Sequence, residues 1–257
     1  MSFFVLKLIA LATMLCDHIA FWFVHNNIIM RNIGRLAFVI YAFLMAEGYN
    51  HLKDQPYRLR KHVFKLIILC LISEIPYDLF DRKVWVDLTT QNVIFTLLFG
   101  FLALIGSGWW NRKHAENKTV SIIGSLVICL AAASTTYFLR SDYCFRGVIL
   151  IVMFYLYLQK EDALNLPQRL GLLFLIDLSY CLLGLWVRAA FGGWPEFAGA
   201  AQKYSKWTVG MIAAFVPLAF HNRKLGYHSK WFGCLYSCFY PLHLVVLLIA
   251  RYLIRGF

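Results

Sequence analysis

Apolar residues occur in long blocks along the chain, and short polar segments separate these blocks. A helix needs roughly 17–25 residues, with a rise of about 1.5 Å each, to cross a hydrocarbon core of about 30 Å. The blocks predict spans at 4–24, 33–49, 63–80, 92–110, 119–139, 143–158, 170–191, 207–220 and 231–254. The pattern therefore predicts an all-α integral membrane protein, a polytopic bundle of about nine transmembrane helices, with eight or ten as alternatives.

The composition supports this class of protein. Of the 257 residues 61% are hydrophobic and only 15% are charged, whereas soluble domains carry about 25% charged residues. No small-residue cleavage site follows the first block, so we interpret that block as a span and not as a signal peptide. The seven cysteines lack CxxC spacing, and we read them as small hydrophobic residues that hold no metal. We expect a single transmembrane domain over residues 1–257.

The basic residues give an orientation. The formal charge is +12, which in a soluble protein would suggest a nucleic-acid partner. Here the positive-inside rule is the simpler interpretation, and we expect no nucleic acid. A cytoplasmic N-terminus places the more basic loops 51–62, 111–118, 159–169 and 221–230 inside. We therefore expect a multi-pass protein of the bacterial-type cytoplasmic (inner) membrane.

The first span carries Lys7, Asp17 and His18. Lys7 and His18 are eleven residues apart, which is three helical turns plus about 20°, so they share one face about 16 Å apart. Histidine titrates near neutral pH and suits a general base. Asp17 can orient or charge-balance His18, although consecutive helical residues point about 100° apart. The alternative is a packed histidine with a structural hydrogen bond.

Further polar residues fall at the predicted outer side of other spans. Intramembrane polar groups usually face the bundle interior and serve a function. The alternating spans place six such residues in the outer half, which predicts one polar chamber that opens outward. These residues are His18, Arg35, Glu74, Asn92, Asp142 and Arg146. For Arg35 the alternative is an arginine that snorkels to the interface.

The last span carries an aromatic stripe that ends in a histidine. Tyr236, Tyr240 and His243 are spaced i, i+4 and i+7, so they share one helical face. Such a stripe is more often packing than a ligand contact. The histidine that continues it favours a contact with a ligand.

Several segments together resemble the TraX family. They are 7–18 (KLIALATMLCDH), 34–38 (GRLAF), 92–96 (NVIFT), 143–147 (YCFRG) and 239–243 (FYPLH). They occur in the family's order across nearly the whole chain. The spacing of Lys7 and His18 also resembles the basic-x10-His motif of the acyltransferase-3 membrane enzymes. The resemblance implies an enzyme, an acyl-CoA-dependent acyltransferase that usually uses acetyl-CoA. The best-known TraX proteins acetylate the N-terminus of conjugative pilin.

Under this resemblance the residues take the following roles as expectations. Cytoplasmic acyl-CoA is the co-substrate, no metal is needed, and the acceptor at the outer face is a protein N-terminus, a cell-envelope sugar or a lipid. His18 acts as general base or acyl carrier. Asp17 supports His18, and Arg35 or Asn92 stabilises the oxyanion. The cations for the CoA phosphates are Arg58, Arg60 and Lys61, with Arg223 and Lys224. The pantetheine arm passes Lys7, Tyr240 and His243. The acceptor contacts Glu74, Asp78, Tyr143 and Arg146.

Two other functions remain open from the sequence. Chains of membrane His, Asp and Glu residues also serve as proton relays, which would suit a proton-coupled transporter or a flippase-like protein. Inverted repeats would support that reading, and the sequence shows none. The third reading is a noncatalytic assembly partner in a secretion or pilus system.

Overall fold

A computed structural model describes residues 1–24 and 27–255 of the chain. Within them it describes all side chains except those of residues 188–189, 191–208 and 255. The described part is helical and contains no strand. Nine α-helices and one short 3-10 helix follow each other along it. The α-helices are α1 (Phe3–Trp22), α2 (Ile28–Leu52), α3 (Pro56–Asp81), α4 (Val93–Lys113), α5 (Lys118–Phe138), α6 (Cys144–Leu158), α7 (Leu166–Ala213), α8 (Phe215–Ala219) and α9 (Lys230–Arg255). The predicted all-α class is confirmed.

Local residue chemistry explains where several helices begin. The side chains of Asn92 and Asn117 accept hydrogen bonds from backbone N–H groups in the first turns of α4 and α5. Asn165 and Gln168 form a reciprocal capping box at the start of α7. Pro56 occupies the first position of α3, where a missing N–H costs nothing.

Six helical segments within the described residues are long and apolar enough to cross a membrane. They are Phe3–Trp22, Ile28–Leu52, Val93–Lys113, Lys118–Phe138, Leu166–Val187 and Lys230–Ile254. Cys144–Leu158 and Val209–Ala219 are apolar but shorter. The predicted third span carries Lys65, Glu74 and Asp78, and it is not among the six. The count of nine spans and the cytoplasmic N-terminus stay predictions.

Helix α7 differs from the prediction. The sequence predicted separate spans at 170–191 and 207–220, but the backbone is helical from Leu166 to Ala213. Hydropathy marks where a helix leaves the membrane, and it does not mark where backbone hydrogen bonds stop. The ring centroid of Phe215 nevertheless lies 5.6 Å from that of Phe174. A straight helix would separate these residues by about 60 Å, so the chain turns back between them.

The chain divides into two compact units. Unit 1 comprises Met1–Tyr41 and Lys160–Phe257, and unit 2 comprises Ala42–Gln159. The division falls inside α2. The prediction of a single domain over 1–257 stays a prediction.

In unit 1, α1 and α9 pack side by side and run in the same direction. Phe4 contacts Phe232 with 4.8 Å between ring centroids. Further along, the guanidinium carbon of Arg251 lies 3.7 Å from the ring centroid of Trp22. Contacts that advance together along both helices define a parallel pair. This α1–α9 seam joins two segments that are more than 200 residues apart in the sequence.

Glycine permits a close approach of α2 to α1. A Cβ atom on Gly34 would lie 2.2 Å from the Cβ atom of Asp17, which is far inside van der Waals contact. A second close approach in unit 1 involves Gly210, where a Cβ would lie 1.7 Å from the backbone oxygen of Asn32. Both glycines are therefore required by packing.

Unit 2 is built around α4, α5 and α6. Phe101, Leu150 and Phe154 are fully buried in it. The start of α4 is tied to the segment before α6, because Gln91 and Ser141 form an isolated backbone bridge. Thr96 Oγ1 lies 2.8 Å from Ser141 Oγ in the same place. These contacts fix the end of unit 2 that carries Asn92 and Tyr143.

Candidate functional site

Two histidines meet across the α1–α9 seam. Nδ1 of His18 lies 2.8 Å from Nε2 of His243, and Nδ1 of His243 lies 2.8 Å from the backbone oxygen of Phe239. His18 is half-buried and His243 is buried. The ring of His243 stacks on Phe239 with 5.1 Å between centroids. His243 is therefore held in place by its packing on Phe239 and by its hydrogen bond to the backbone of α9.

This arrangement sets the tautomers of two neutral imidazoles. A carbonyl oxygen can only accept, so Nδ1 of His243 must donate to Phe239. Nε2 of His243 is then an acceptor, and Nδ1 of His18 must donate to it. His18 is thereby placed in the tautomer whose Nε2 accepts a proton. An imidazole oriented in this way is poised to act as a general base.

The predicted shared face of Lys7 and His18 is confirmed, because both residues contact α9. The ammonium nitrogen of Lys7 lies 4.8 Å from the ring centroid of Tyr236 and 5.6 Å from that of Phe3. The predicted stripe on α9 also faces this seam, where the ring centroids of Tyr240 and His243 are 5.7 Å apart.

An apolar cluster occupies the seam between Lys7 and His18. Leu11, Met14 and Ala37 are buried in it. The partly buried rings packed against it are those of Tyr41, Tyr236, Phe239 and Tyr240. The predicted path of the pantetheine arm is thus lined by aromatic residues, and side chains fill it in this structure.

Asp17 contacts an arginine that the sequence analysis did not single out. Its Oδ2 lies 2.9 Å from Nη1 of Arg31. The positive charge of Arg35 is close enough to interact electrostatically with both Asp17 and His18. The structure gives His243 as a hydrogen-bond partner of His18 and pairs Asp17 with Arg31. His18 also has a hydrogen bond with the backbone of Met14, so both α1 and α9 contribute contacts to it. The predicted support of His18 by Asp17 stays a prediction.

Asn92 is a structural residue of unit 2. Its Oδ1 accepts from the N–H of Ile94 at 2.9 Å, which caps α4. Its Nδ2 donates to the backbone oxygen of Cys70 at 2.9 Å and to Oε2 of Glu74. Both amide hydrogens are donated, and the residue is fully buried. An oxyanion contact would have to break one of these bonds, so the geometry favours a structural role for Asn92, and the predicted oxyanion contact stays a prediction.

The residues that the sequence predicted to contact the acyl acceptor also lie in unit 2. Asp78 is fully buried, and its Oδ2 accepts from the N–H of Asp87 at 2.7 Å, which anchors the loop after α3. Hydrogen bonds from the side chain and backbone of Thr89 hold the pKa of the Asp87 carboxyl below its usual value. Tyr143 has φ of 64° at the start of α6, and Arg146 lies one turn later. Contact of these residues with an acceptor stays a prediction.

The single polar chamber predicted from the sequence is distributed over two units. His18 and Arg35 belong to unit 1. The other four predicted members belong to unit 2, namely Glu74, Asn92, Asp142 and Arg146. Each set is described within its own unit, and the single chamber stays a prediction.

The predicted phosphate-binding cations fall into two groups. Arg58, Arg60 and Lys61 lie exposed near the start of α3, where Arg58 donates to Gln55 at 2.8 Å. Arg223 is instead committed to an ion-pair network. Its Nη2 lies 2.9 Å from Oε2 of Glu161, and its Nη1 lies 2.8 Å from both carboxylate oxygens of Asp162. Arg223 is therefore already paired with two carboxylates, and its contact with a CoA phosphate stays a prediction.

Four functional or structural residues were missed at the sequence level. Glu161 is buried and also contacts Arg169 at 3.2 Å, and acids in a short loop gave no signal for this. Asp177 is fully buried near the middle of the segment Leu166–Val187, and neither of its carboxylate oxygens has a hydrogen-bond partner. A lone acid inside an apolar block could have revealed Asp177. Arg31 and Arg251 needed the packing of the helices.

We searched the described residues for side chains that could bind a metal ion. No group of three or more His, Cys, Asp or Glu side chains there could hold a metal ion. The seven cysteines are free thiols.

Comparisons with known proteins agree with the motifs that were identified in the sequence. The model of the family described as TraX protein matches residues 2–251. The chain is 27% identical over 269 residues to a protein of Dichelobacter nodosus named "Probable fimbrial assembly protein FimC, serogroup H1", and the match covers 97% of this chain and 96% of that protein. No solved structure matches. Because the family match spans nearly the whole sequence, the chain belongs to the TraX family.

Proposed function

We propose that the chain is a membrane-embedded acyltransferase that moves an acyl group, in the first place acetyl, from cytoplasmic acyl-CoA to an amine or hydroxyl at the outer face. The observation that carries this proposal is the hydrogen-bonded chain from His18 through His243 to the backbone oxygen of Phe239. This chain places His18 in the tautomer whose Nε2 can accept a proton, as a general base requires. Membership of the TraX family supports the same reading.

In the transfer step, Nε2 of His18 removes the proton from the acceptor N–H or O–H. The acceptor atom forms a bond to the thioester carbon, and the bond from that carbon to sulfur breaks. The CoA thiolate leaves and takes up the proton from His18. His243 stabilises the transient imidazolium because its Nε2 accepts from Nδ1 of His18. The atoms and charges therefore balance without a metal.

Arg35 is the remaining candidate for the oxyanion contact. Asn92 has donated both amide hydrogens within unit 2, whereas Arg35 lies within electrostatic range of His18. A positive group that faces the developing oxyanion is the arrangement that accelerates acyl transfer most strongly.

Acyl-CoA enters along the seam in this proposal. Lys7 and Tyr236 stand at one end of the apolar cluster, and His18 stands at the other. The pantetheine arm is thin enough to pass between aromatic side chains once Met14 and Leu11 change rotamer. Contact of Arg58, Arg60 and Lys61, which belong to unit 2, with the CoA phosphates stays a prediction.

The acceptor is an amine or hydroxyl on a protein, a sugar or a lipid. The Dichelobacter nodosus relative is named as a fimbrial assembly protein. That name favours a subunit of a surface fibre as one acceptor of this chain. Sugars and lipids of the cell envelope offer the same nucleophiles.

The test uses purified protein in detergent with radiolabelled acetyl-CoA and follows CoA release together with label retained on the protein. We expect His18→Ala to abolish both signals while the protein remains folded. His228→Ala is the matched control, because His228 is exposed in the loop before α9. Full CoA release by His18→Ala would remove both the general-base and the acyl-carrier roles. Retained label that needs His18 would favour an acyl-histidine intermediate over direct attack.

The alternatives each rest on one observation. The name of the Dichelobacter nodosus relative favours a noncatalytic assembly partner. Asp177 is buried without hydrogen-bond partners for its carboxylate, which favours a proton-coupled transporter. An assembly partner would retain its function in cells that carry His18→Ala. A transporter would lose function in Asp177→Asn and show no CoA release.

A further inference from the structure

Helix α3 of unit 2 exposes an apolar stripe along much of its length. The residues of the stripe follow the spacing i, i+3, i+4, i+7, i+8 and i+11, which describes one face of an α-helix. They are Phe64, Ile67, Ile68, Leu71, Ile72 and Ile75, and all six are exposed. We call these six residues the α3 stripe.

Polar side chains of the same helix are buried. Ser73 and Asp78 are fully buried, and the carboxylate of Glu74 accepts a hydrogen bond from the buried Asn92. A helix on the surface of a water-soluble protein has the reverse arrangement, with apolar residues toward the core and polar residues outside. Polar groups that face the interior behind an apolar outer face are typical of a helix in contact with lipid.

The α3 stripe continues into two basic residues and a tyrosine at the start of the helix. Arg60 and Lys61 are four and three positions before Phe64, and Tyr57 is seven positions before it, so all three share the face of the stripe. Arg60 and Lys61 are exposed, and Tyr57 is 76% exposed. Tyrosine is enriched at the level of lipid headgroups, where its ring meets the tails and its hydroxyl meets water. The start of α3 therefore has the chemistry of a membrane interface.

The positive charge at the start of α3 is not neutralised by the protein. Residues 53–65 contain five lysines and arginines but one acid, Asp54. Helix α4 packs against α3, with 4.9 Å between the ring centroids of His62 and Phe101, and α4 contains no acidic residue. Four cations form no ion pair with any described residue, namely Arg58, Arg60, Lys61 and Lys65. An anion is therefore the complementary ligand.

The length of the α3 stripe indicates which anion fits. Phe64 and Ile75 are eleven positions apart, which is about 16 Å along the helix axis. One leaflet contributes half of a hydrocarbon core of about 30 Å, or about 15 Å. An acyl chain whose headgroup lies at Arg60 and Lys61 therefore covers the whole stripe. A soluble anion would use the same cations and leave the stripe uncovered.

We propose that the start of α3 binds an anionic phospholipid, with the headgroup phosphate at Arg60 and Lys61 and an acyl chain along the α3 stripe. This inference goes beyond the proposed function and does not depend on acyl transfer. It assigns these two cations to a lipid instead of to CoA. A zwitterionic headgroup brings its own positive charge to the same place, so an anionic headgroup is preferred.

Lipid retention is measured by native mass spectrometry on the full chain in mild detergent. Phosphatidylglycerol and phosphatidylcholine with identical acyl chains are supplied at equal concentrations. Each cation near an anionic lipid contributes about fivefold to binding, so Arg60→Gln/Lys61→Gln should weaken the binding of phosphatidylglycerol by roughly 25-fold and change that of phosphatidylcholine little. Lys113→Gln/Lys118→Gln is the matched control. It removes two exposed charges between α4 and α5, at the same end of unit 2, and should bind lipid as the wild type does.

A second pair of variants tests the acyl chain. Leu71→Ala/Ile75→Ala shortens two stripe side chains that lie at least about 15 Å along the helix from Lys61, and it should weaken the binding of both lipids at least about threefold. Leu126→Ala/Leu130→Ala is its matched control, because these leucines are similarly exposed on α5. Equal lipid binding by the two variants would overturn the contact between the acyl chain and the α3 stripe.

Three results would overturn the headgroup site. The first is equal retention of phosphatidylglycerol and phosphatidylcholine by the wild type. The second is an equal loss in Arg60→Gln/Lys61→Gln and in Lys113→Gln/Lys118→Gln while the thermal unfolding of both matches the wild type. The third is displacement of phosphatidylglycerol by CoA, which would assign the cations to a nucleotide. If the first double variant does not fold, Lys61→Gln and Lys118→Gln are compared by the same criterion.

Discussion

In the proposed mechanism, replacing His243 removes a contact that orients His18 and leaves Nε2 of His18 in place. His243 is buried, it stacks on Phe239, and its Nε2 accepts from Nδ1 of His18 at 2.8 Å. His243→Phe fills a similar volume with a ring that accepts no hydrogen bond. His243→Gln keeps an acceptor oxygen near the same place. The two variants therefore separate packing from orientation.

The expected size of the effect follows from the contact that is lost. A hydrogen bond of this kind contributes about 0.5–1.5 kcal/mol, which corresponds to roughly a factor of 2–13. Partners that orient metal-bound histidines commonly contribute about 10–100-fold to activity, and we take the same range for a partner that orients His18. We therefore expect His243→Phe to lower kcat by about 10–100-fold and His243→Gln to stay within a few-fold of the wild type.

The assay follows CoA release from acetyl-CoA in detergent and determines kcat and KM separately. An orienting contact acts on the reacting imidazole, so kcat should fall in His243→Phe while the KM for acetyl-CoA changes little. Thermal unfolding of both variants controls for folding. The reasoning would be refuted by a wild-type kcat in His243→Phe, or by equal losses in His243→Gln and His243→Phe.

Three further predictions concern packing and hydrogen bonds. Gly34→Ala should lower the free energy of unfolding by about 1–3 kcal/mol and reduce turnover, because its Cβ would lie 2.2 Å from the Cβ of Asp17 on α1. The control is Gly48→Ala, whose Cβ meets nothing within 4 Å. It should be neutral or stabilising in the same thermal unfolding assay. Asn92→Ala should cost about 2–4 kcal/mol through the lost cap and buried hydrogen bonds, and an unchanged kcat per folded molecule is expected; a fall in kcat with intact stability would restore the oxyanion role. Glu161→Gln should lower the free energy of unfolding by about 2–3 kcal/mol, since a buried carboxylate loses its charge beside two half-exposed arginines. The side chain of Asp162 is 82% exposed, so Asp162→Asn should change that free energy by less than about 0.5 kcal/mol. Equal melting curves for these two variants would contradict the ion-pair network.

Helical periodicity predicted which residues share a face, and the structure bears this out where both faces are known. A spacing of eleven positions places Lys7 and His18 on one face, and the spacing of Tyr236, Tyr240 and His243 places those residues together. Periodicity could not predict that these two faces meet. That pairing depends on tertiary packing between segments more than 200 residues apart, and so does the tautomer of His18.

Loop residues and helix breaks were harder to predict for a different reason. Arg223 looked like a free cation for phosphate because its charge is visible in the sequence and its partners are not. Only the fold brings Glu161 and Asp162 to its guanidinium. The separate spans predicted at 170–191 and 207–220 lie largely within one stretch of helical backbone, Leu166–Ala213, because a drop in hydropathy does not stop backbone hydrogen bonding.

Asn92 and His18 illustrate how a polar residue within an apolar block can be assigned a role. Both are costly in such a block, and sequence analysis alone could not rank one above the other as a site residue. The structure separates them by their hydrogen bonds: Asn92 donates both amide hydrogens and caps a helix with its oxygen, so its polar atoms are used by the fold. The contacts of His18 with His243 instead fix the tautomer whose Nε2 can accept a proton. That tautomer is the one a general base needs, and it is the physical reason for proposing the chemistry at His18.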